Sequence, residues 1–162
     1  MDYRSFTTVC SFYHAAWLAD QLSLTRTNGS GGIDAADAEI GVELKNRVRT
    51  WYPSWTIHAY QIKQFPKQNK GKELFWGFLL YGLTKTVPRV RHRDFPQVIT
   101  DREIWLMPWE WVKKFPVHHP KTGPYVYVKQ KQLPDKGYFA RFQRKHGEIF
   151  VPKDSSLEDR LC

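Results

Sequence analysis

The longest apolar run in the chain, counting glycine, is the ten residues from Leu74 to Leu83. A helix needs ~20 apolar residues to cross a bilayer, so a run this short belongs inside a folded protein. Its aromatic and aliphatic side chains fit a buried strand, expected from Glu73 to Thr84. With 162 residues and a hydrophobic share of 41%, the chain is long and apolar enough to bury one core around such a strand. A single domain is expected over residues 1–152, with 153–162 as a C-terminal tail. The first residues lack a basic stretch followed by an apolar core and a small-residue cleavage site. That predicts an intracellular, cytoplasmic protein with no membrane partner.

Around the apolar run, the spacing predicts a succession of helix and strands. Phe6, Val9, Cys10, Tyr13, Ala16 and Trp17 recur at helical intervals, giving a helix from about 4 to 21 with one buried face. Leu22, Leu24 and Arg26 alternate as a short strand, and Asn28 to Gly32 form a tight connection. Ile33 to Ala36 reads as a second strand, Asp37-Ala38-Glu39 as a turn and Ile40 to Asn46 as a third strand. Pro53-Ser54 before Trp55 resembles a helix start, predicting a helix from Trp55 to Gln64 that ends at Phe65-Pro66. Residues 85–102 hold Lys85, Arg89, Arg91, Arg93 and Arg102 with two prolines, as an exposed basic loop would. Ile104 to Met107 is expected as a strand, Pro108 to Phe115 as a short helix, Tyr125 to Leu133 as a strand, and 138–151 as one or two more.

Charge is distributed unevenly. Residues 1–45 hold three basic groups and six acids, whereas the rest of the chain holds 22 basic groups and ten acids. A formal net charge of +9 favours a polyanionic partner, and acids gathered near the start suit a metal site embedded in a phosphate-binding surface. The two cysteines, Cys10 and Cys162, have no metal-type spacing and support no disulfide framework.

The stretch that carries chemistry is Gly32-Ile33-Asp34, then eight residues, then Glu43-Leu44-Lys45-Asn46. Period-two alternation places Gly41, Glu43 and Lys45 on one face of a strand, and Val42 and Leu44 on the other. A hairpin would bring the Asp34 carboxylate beside them. Two hard carboxylates at one point suit Mg²⁺, which binds oxygen and keeps several waters, with Mn²⁺ able to substitute. Lys45 can orient a water for attack on a phosphodiester, or stabilise the charge of the transition state.

This arrangement resembles the PD-(D/E)XK nuclease superfamily, on Ile33-Asp34 and Glu43-Leu44-Lys45. Upstream, LTRTNGSGGID followed by IGVELKN is similar to the strand, glycine-rich turn and acid of archaeal Holliday-junction resolvases and related small restriction and homing-type endonucleases. The resemblance covers roughly residues 10–46. It implies an α/β fold of restriction-endonuclease type, with a mixed central sheet flanked by helices. It also implies a homodimer and hydrolysis of DNA with Mg²⁺, on a branched junction or a specific duplex. Asp34, Glu43 and the Leu44 carbonyl would hold the metal, and Lys45 would act on the water. Many family members add a Glu from the first helix. Cys10 to Trp17 contains no acid, and Asp20 stands late in that helix.

Further candidates are weighed on the same residues. Gln61 and Gln64, three apart, are each placed to support the site or touch a phosphate, together with Lys63. Arg89, Arg91 and Arg93 are expected phosphate contacts. Asp37 and Glu39 are rivals to Asp34, which is preferred because it follows the glycine turn. His118-His119 invites an HNH nuclease reading, but no Asn follows Asn69, so it is rejected. Asn28 to Gly32 lacks the Lys-Ser/Thr of a phosphate-binding P-loop. The competing class is a non-catalytic basic DNA-binding protein with a degenerate site. Alanine at Asp34, Glu43 or Lys45 is expected to abolish cleavage and leave folding largely intact.

Overall fold

The computed structural model describes residues 3–27, 32–86, 89 and 91–133. The strands expected within 138–151 and the tail 153–162 lie outside the described residues. The fold is mixed α/β. The helix α1 (Tyr3–Leu22) leads into strands β1 (Thr25–Arg26), β2 (Ala35–Ala36), β3 (Ile40–Val48) and β4 (Ser54–His58). Helix α2 (Ala59–Gln68), strand β5 (Glu73–Leu83), the short helix α3 (Phe95–Val98) and strands β6 (Ile99–Pro108), β7 (Val117–His118) and β8 (Tyr125–Lys129) follow. Five strands form one sheet in the order β1-β2-β3-β5-β6, and three form a second in the order β4-β8-β7. The β3–β5 pair is parallel and its neighbours are antiparallel, so the larger sheet is mixed.

Alternation along β3, β5 and β6 separates two cores. On one face, Val42, Leu44, Phe75, Leu79, Ile104 and Leu106 pack under α1 through Phe6, Val9, Cys10 and Leu18. On the other, Leu74, Trp76, Phe78, Trp105 and Met107 meet Ile62 and Phe65 of α2 and Trp55, Ile57, Val126 and Val128 of the smaller sheet. The apolar run is therefore the strand covered on both faces, as its composition demands. No helix among the described residues is long and apolar enough to cross a membrane.

Three expectations are corrected. Trp55 to Gln64 is not one helix: Ser54–His58 is a strand that pairs with β8, and the helix starts at Ala59. Trp55 and Ile57 are buried between Ser54, Thr56 and His58, a period-two pattern that outweighs the helix-start signal of Pro53-Ser54. Nor does the helix stop at Phe65-Pro66; it runs to Gln68 with Pro66 inside. Proline has no N–H to give the carbonyl four residues earlier, that of Ile62. The indole Nε1–H of Trp109 donates to the Ile62 carbonyl at 3.2 Å, so a side chain from just beyond β6 takes the missing donor's place. Finally, residues 85–102 are not all loop. His92–Asp94 is a 3₁₀ turn, α3 follows, and β6 begins at Ile99.

Smaller differences concern ends. Leu22 finishes α1 instead of opening a strand, β2 is only Ala35–Ala36, Trp109–Lys114 is a 3₁₀ helix, and β8 stops at Lys129.

Candidate active site

Gly32 leads the chain into Asp34 at the sheet edge. Gly32 has φ +74°, a left-handed conformation that favours glycine, and a Cβ there would stand 2.2 Å from the Phe65 ring. Gly41 is needed for a different reason: a Cβ would meet the Ile33 side chain at 2.6 Å. Ile33, fully buried, lies over that bare glycine and anchors the residue next to it. The Asp34 N–H donates to the Val42 carbonyl and its own carbonyl accepts from Thr27 N–H, each at 2.9 Å. Its backbone is thus held between the two flanking chains, although the formal strand starts one residue later.

β2 ends early, so β3 is open on that side beyond Val42. There Leu44 N–H donates to Asp34 Oδ2 at 2.8 Å. Main-chain groups alternate sides along a strand, so the Leu44 carbonyl points toward the same edge as that of Val42. On the face of the sheet, Lys45 Nζ donates to Glu43 Oε1 at 2.6 Å. From α2, Gln61 Nε2 donates to the same oxygen at 3.2 Å, while Gln61 Oε1 accepts from His58 N–H. The Gln61 side chain therefore ties the start of α2 to the middle of β3. Behind Lys45, 5.8 Å from its Nζ, lies the ring of Trp76, stacked on Trp109 with centroids 3.8 Å apart.

A cleft of about 330 Å³ opens over these groups. Its walls are Asp34 and residues 43–47, the edge of β4 from Ser54 to Thr56, and Thr7 and Ser11 of α1. Burial pushes the Glu43 carboxyl up to about 8, against the pull of Lys45. It also raises Asp34, although Leu44 N–H and Lys45 act in the opposite direction. The two carboxyl groups lie close enough to act on each other's titration, raising Glu43 and lowering Asp34. A divalent cation would favour the ionised form of both. The donor set consists of two carboxylates and a main-chain carbonyl, all hard oxygens, and fits Mg²⁺ or Mn²⁺.

No family model, curated protein or solved structure matches this chain.

Glu43 and Lys45 share a face, as the alternation predicts, and the hairpin brings Asp34 beside them with its Oδ2 on the Leu44 N–H. Asp37 does not compete: its Oδ1 accepts from the N–H groups of Glu39 and Ile40, closing the turn between β2 and β3. Gln61 and Gln64 do not share an environment. Gln61 is buried on Glu43, whereas Gln64 and Lys63 are exposed on the outer side of α2. Arg89, Arg91 and Arg93 are exposed on the segment between β5 and α3 and do not line the cleft. Asp20 is exposed near the end of α1, more than two turns beyond Ser11. Among the described residues no three His, Cys, Asp or Glu side chains form a metal-binding cluster. On α1 the positions facing the cleft are hydroxyls.

Sequence reasoning passed over Thr7, Ser11, Arg47 and Thr56. Three of these carried a usable signal. Arg47 is two residues beyond Lys45 on the same strand face, and Thr7 and Ser11 are one helical turn apart. Arg26 is another: its charge bears on Asp34, and its guanidinium sits 3.8 Å from the Phe12 ring centroid.

Proposed function

We propose that this chain is a metal-dependent DNA endonuclease of PD-(D/E)XK type on a restriction-endonuclease-like sheet. The observation that carries the reading is the meeting of Asp34, Glu43 and Lys45 in one cleft, where Lys45 Nζ bonds Glu43 Oε1 and Asp34 Oδ2 sits on the Leu44 N–H. Asp34, Glu43 and the Leu44 carbonyl would hold Mg²⁺. When bound, the cation supplies Lewis acidity to a phosphoryl oxygen and to water.

The chain's own residues do the rest. Lys45, held by Glu43 and backed by Trp76, presents an ammonium at the cleft floor. It orients the attacking water and stabilises the negative charge that develops on phosphorus oxygens. Gln61 fixes the rotamer of Glu43 and touches no substrate. Arg47 and the hydroxyls of Thr7 and Ser11 line the approach, where a phosphate backbone would run. Duplex cleavage requires two such sites, so the working enzyme is a homodimer.

The test is incubation of the full chain with supercoiled plasmid, linear duplex and a four-way junction in Mg²⁺ or Mn²⁺. Nicked or cut products that vanish with EDTA are expected. Intact DNA in every lane, from a protein that binds Mn²⁺, would sink the reading. The absence of an acid from α1 favours one alternative, a DNA-binding protein whose site no longer turns over. That protein would bind DNA and take up Mn²⁺ weakly or not at all by calorimetry.

A further inference from the structure

The smaller sheet turns its outer face to solvent, and that face is aromatic. Alternation buries Trp55 and Ile57 of β4 and Val126 and Val128 of β8, which leaves Thr56, His58, Tyr125 and Tyr127 outward. In register, Tyr127 stands beside Thr56, and Tyr125 stands between His58 and His118 of β7. The rings of Tyr125 and Tyr127 lie 4.6 Å apart, and His118 lies 5.7 and 5.6 Å from them. A rim continues the surface: Trp51 is 95% and Tyr52 92% exposed. Burying such rings is the usual use of an aromatic, so two adjacent ones held almost wholly in water need another account.

Two observations point to the partner. First, the surface adjoins the catalytic cleft. Ser54 lines that cleft and also the 350 Å³ groove formed by Trp51, Tyr52, Lys129 and Lys131. Second, its charge has one sign. The segment from Trp111 to Leu133 holds five lysines and no acid, and no acid occurs between Glu43 and Glu73. A protein interface built from these strands would meet an uncompensated cationic rim. A strand of nucleic acid would satisfy both features, because phosphates neutralise the lysines while unpaired bases stack on the rings.

We infer that the outer face of the β4-β8-β7 sheet, with Trp51 and Tyr52, is a stacking platform that holds an unpaired DNA strand leading into the Asp34–Glu43–Lys45 cleft. The inference rests on the nuclease reading for its direction, and it narrows the substrate to DNA with a single-stranded arm, such as a flap or opened branch. Bases within a continuous duplex are already stacked on one another and have no face to offer Tyr127 or Trp51.

The test separates binding from cleavage. Dissociation constants of the full chain, and of Tyr125→Ala/Tyr127→Ala, Trp51→Ala/Tyr52→Ala and Tyr127→Phe, are measured by fluorescence anisotropy. The probes are a 20-mer oligo(dT) and a fully paired 20-mer, in Ca²⁺ so that turnover does not intervene. Each double alanine variant is expected to bind oligo(dT) about tenfold or more weakly and the duplex almost unchanged, because one lost base–aromatic stack is worth ~1–3 kcal/mol. Tyr127→Phe keeps the ring and should bind as the parent does. Equal affinities of parent and variants for oligo(dT) would overturn the platform. So would a parent dimer that dissociates on Tyr125→Ala/Tyr127→Ala in sedimentation, since the face would then be a contact between two copies. Cleavage is scored separately on flap and duplex DNA. A chain that loses oligo(dT) affinity in the variants but cuts nothing keeps the platform and loses the nuclease reading.

Discussion

Asp34 Oδ2 accepts a hydrogen bond from the main-chain N–H of Leu44 at 2.8 Å. That carboxylate latches the hairpin to β3 and, in the proposed reading, would also supply a metal oxygen. The two roles come apart by substitution. Asp34→Asn keeps an acceptor for Leu44 N–H and loses the charge; Asp34→Ala loses both. Removing the partner of a buried N–H costs about 1–3 kcal/mol. Asp34→Ala should therefore have a clearly lower midpoint in urea than the parent, whereas Asp34→Asn stays close to it. Both should lose Mn²⁺ binding and cleavage. This revises the expectation that alanine at Asp34 leaves folding intact; equal stability of Asp34→Ala and the parent would show that the latch contributes nothing.

Glu43 makes the metal-free protein sensitive to pH. Its carboxyl is raised from 4.5 to about 8 by burial, so the folded state favours the neutral form. The stabilisation is complete below the ordinary value of 4.5 and is lost as pH rises through about 8. The slope from this one group is at most about 1.4 kcal/mol per pH unit. Thermal melts in EDTA should show Tm falling between those limits, and Glu43→Gln should flatten the fall. Metal binding needs the ionised acid, so Mn²⁺ affinity should rise over the same window with release of a proton. A pH-independent affinity would remove Glu43 from the ligand set.

Lys45 and Asp20 should behave oppositely. Lys45 sits on Glu43 in the cleft, and Lys45→Ala should slow cleavage by about 10²–10³-fold while Mn²⁺ still binds, the scale on which one charge-stabilising donor acts. Asp20 is exposed and lies outside the cleft lining, so Asp20→Asn should leave the rate nearly unchanged. Ca²⁺, larger and looser in geometry, should support DNA binding without cleavage. Single-turnover rates with each ion provide the measurement; near-parental cleavage by a folded Lys45→Ala protein would refute the assignment.

Binding should weaken steeply with salt. With roughly six phosphate contacts, affinity falls ~10³-fold between 50 and 200 mM salt. Arg89, Arg91 and Arg93 lie exposed outside the cleft, and Arg93 lies 3.7 Å from Asp94. Neutralising all three should reduce the salt slope by less than three contacts' worth, and it should leave the rate at saturating DNA unchanged. An unchanged slope would assign the segment no phosphate contact.

What sequence and tertiary structure each decided follows from the range of the interactions involved. Local pattern alone determined that Glu43 and Lys45 share a face, that Val42 and Leu44 occupy the opposite one, and that Phe75 to Leu83 is a covered strand. Pleating fixes side-chain direction whatever the partner strand is. The left-handed Gly32 and the turn at Asp37 were equally local. The state of Ser54 to His58 depends on β8, some seventy residues away in the chain; Pro53-Ser54 offers a helix start that only this pairing overrules. Pro66 stays helical because Trp109 reaches the orphaned Ile62 carbonyl, a contact no window of sequence around Pro66 contains. Gln61 was distinguished from Gln64 by the same kind of long-range packing, which buried one against Glu43 and left the other in water. The chemistry was legible where a strand's own period created it. The cleft, the buried Glu43 and the aromatic face of the smaller sheet arose only when separate elements were brought together, because burial and proximity are properties of the packed chain.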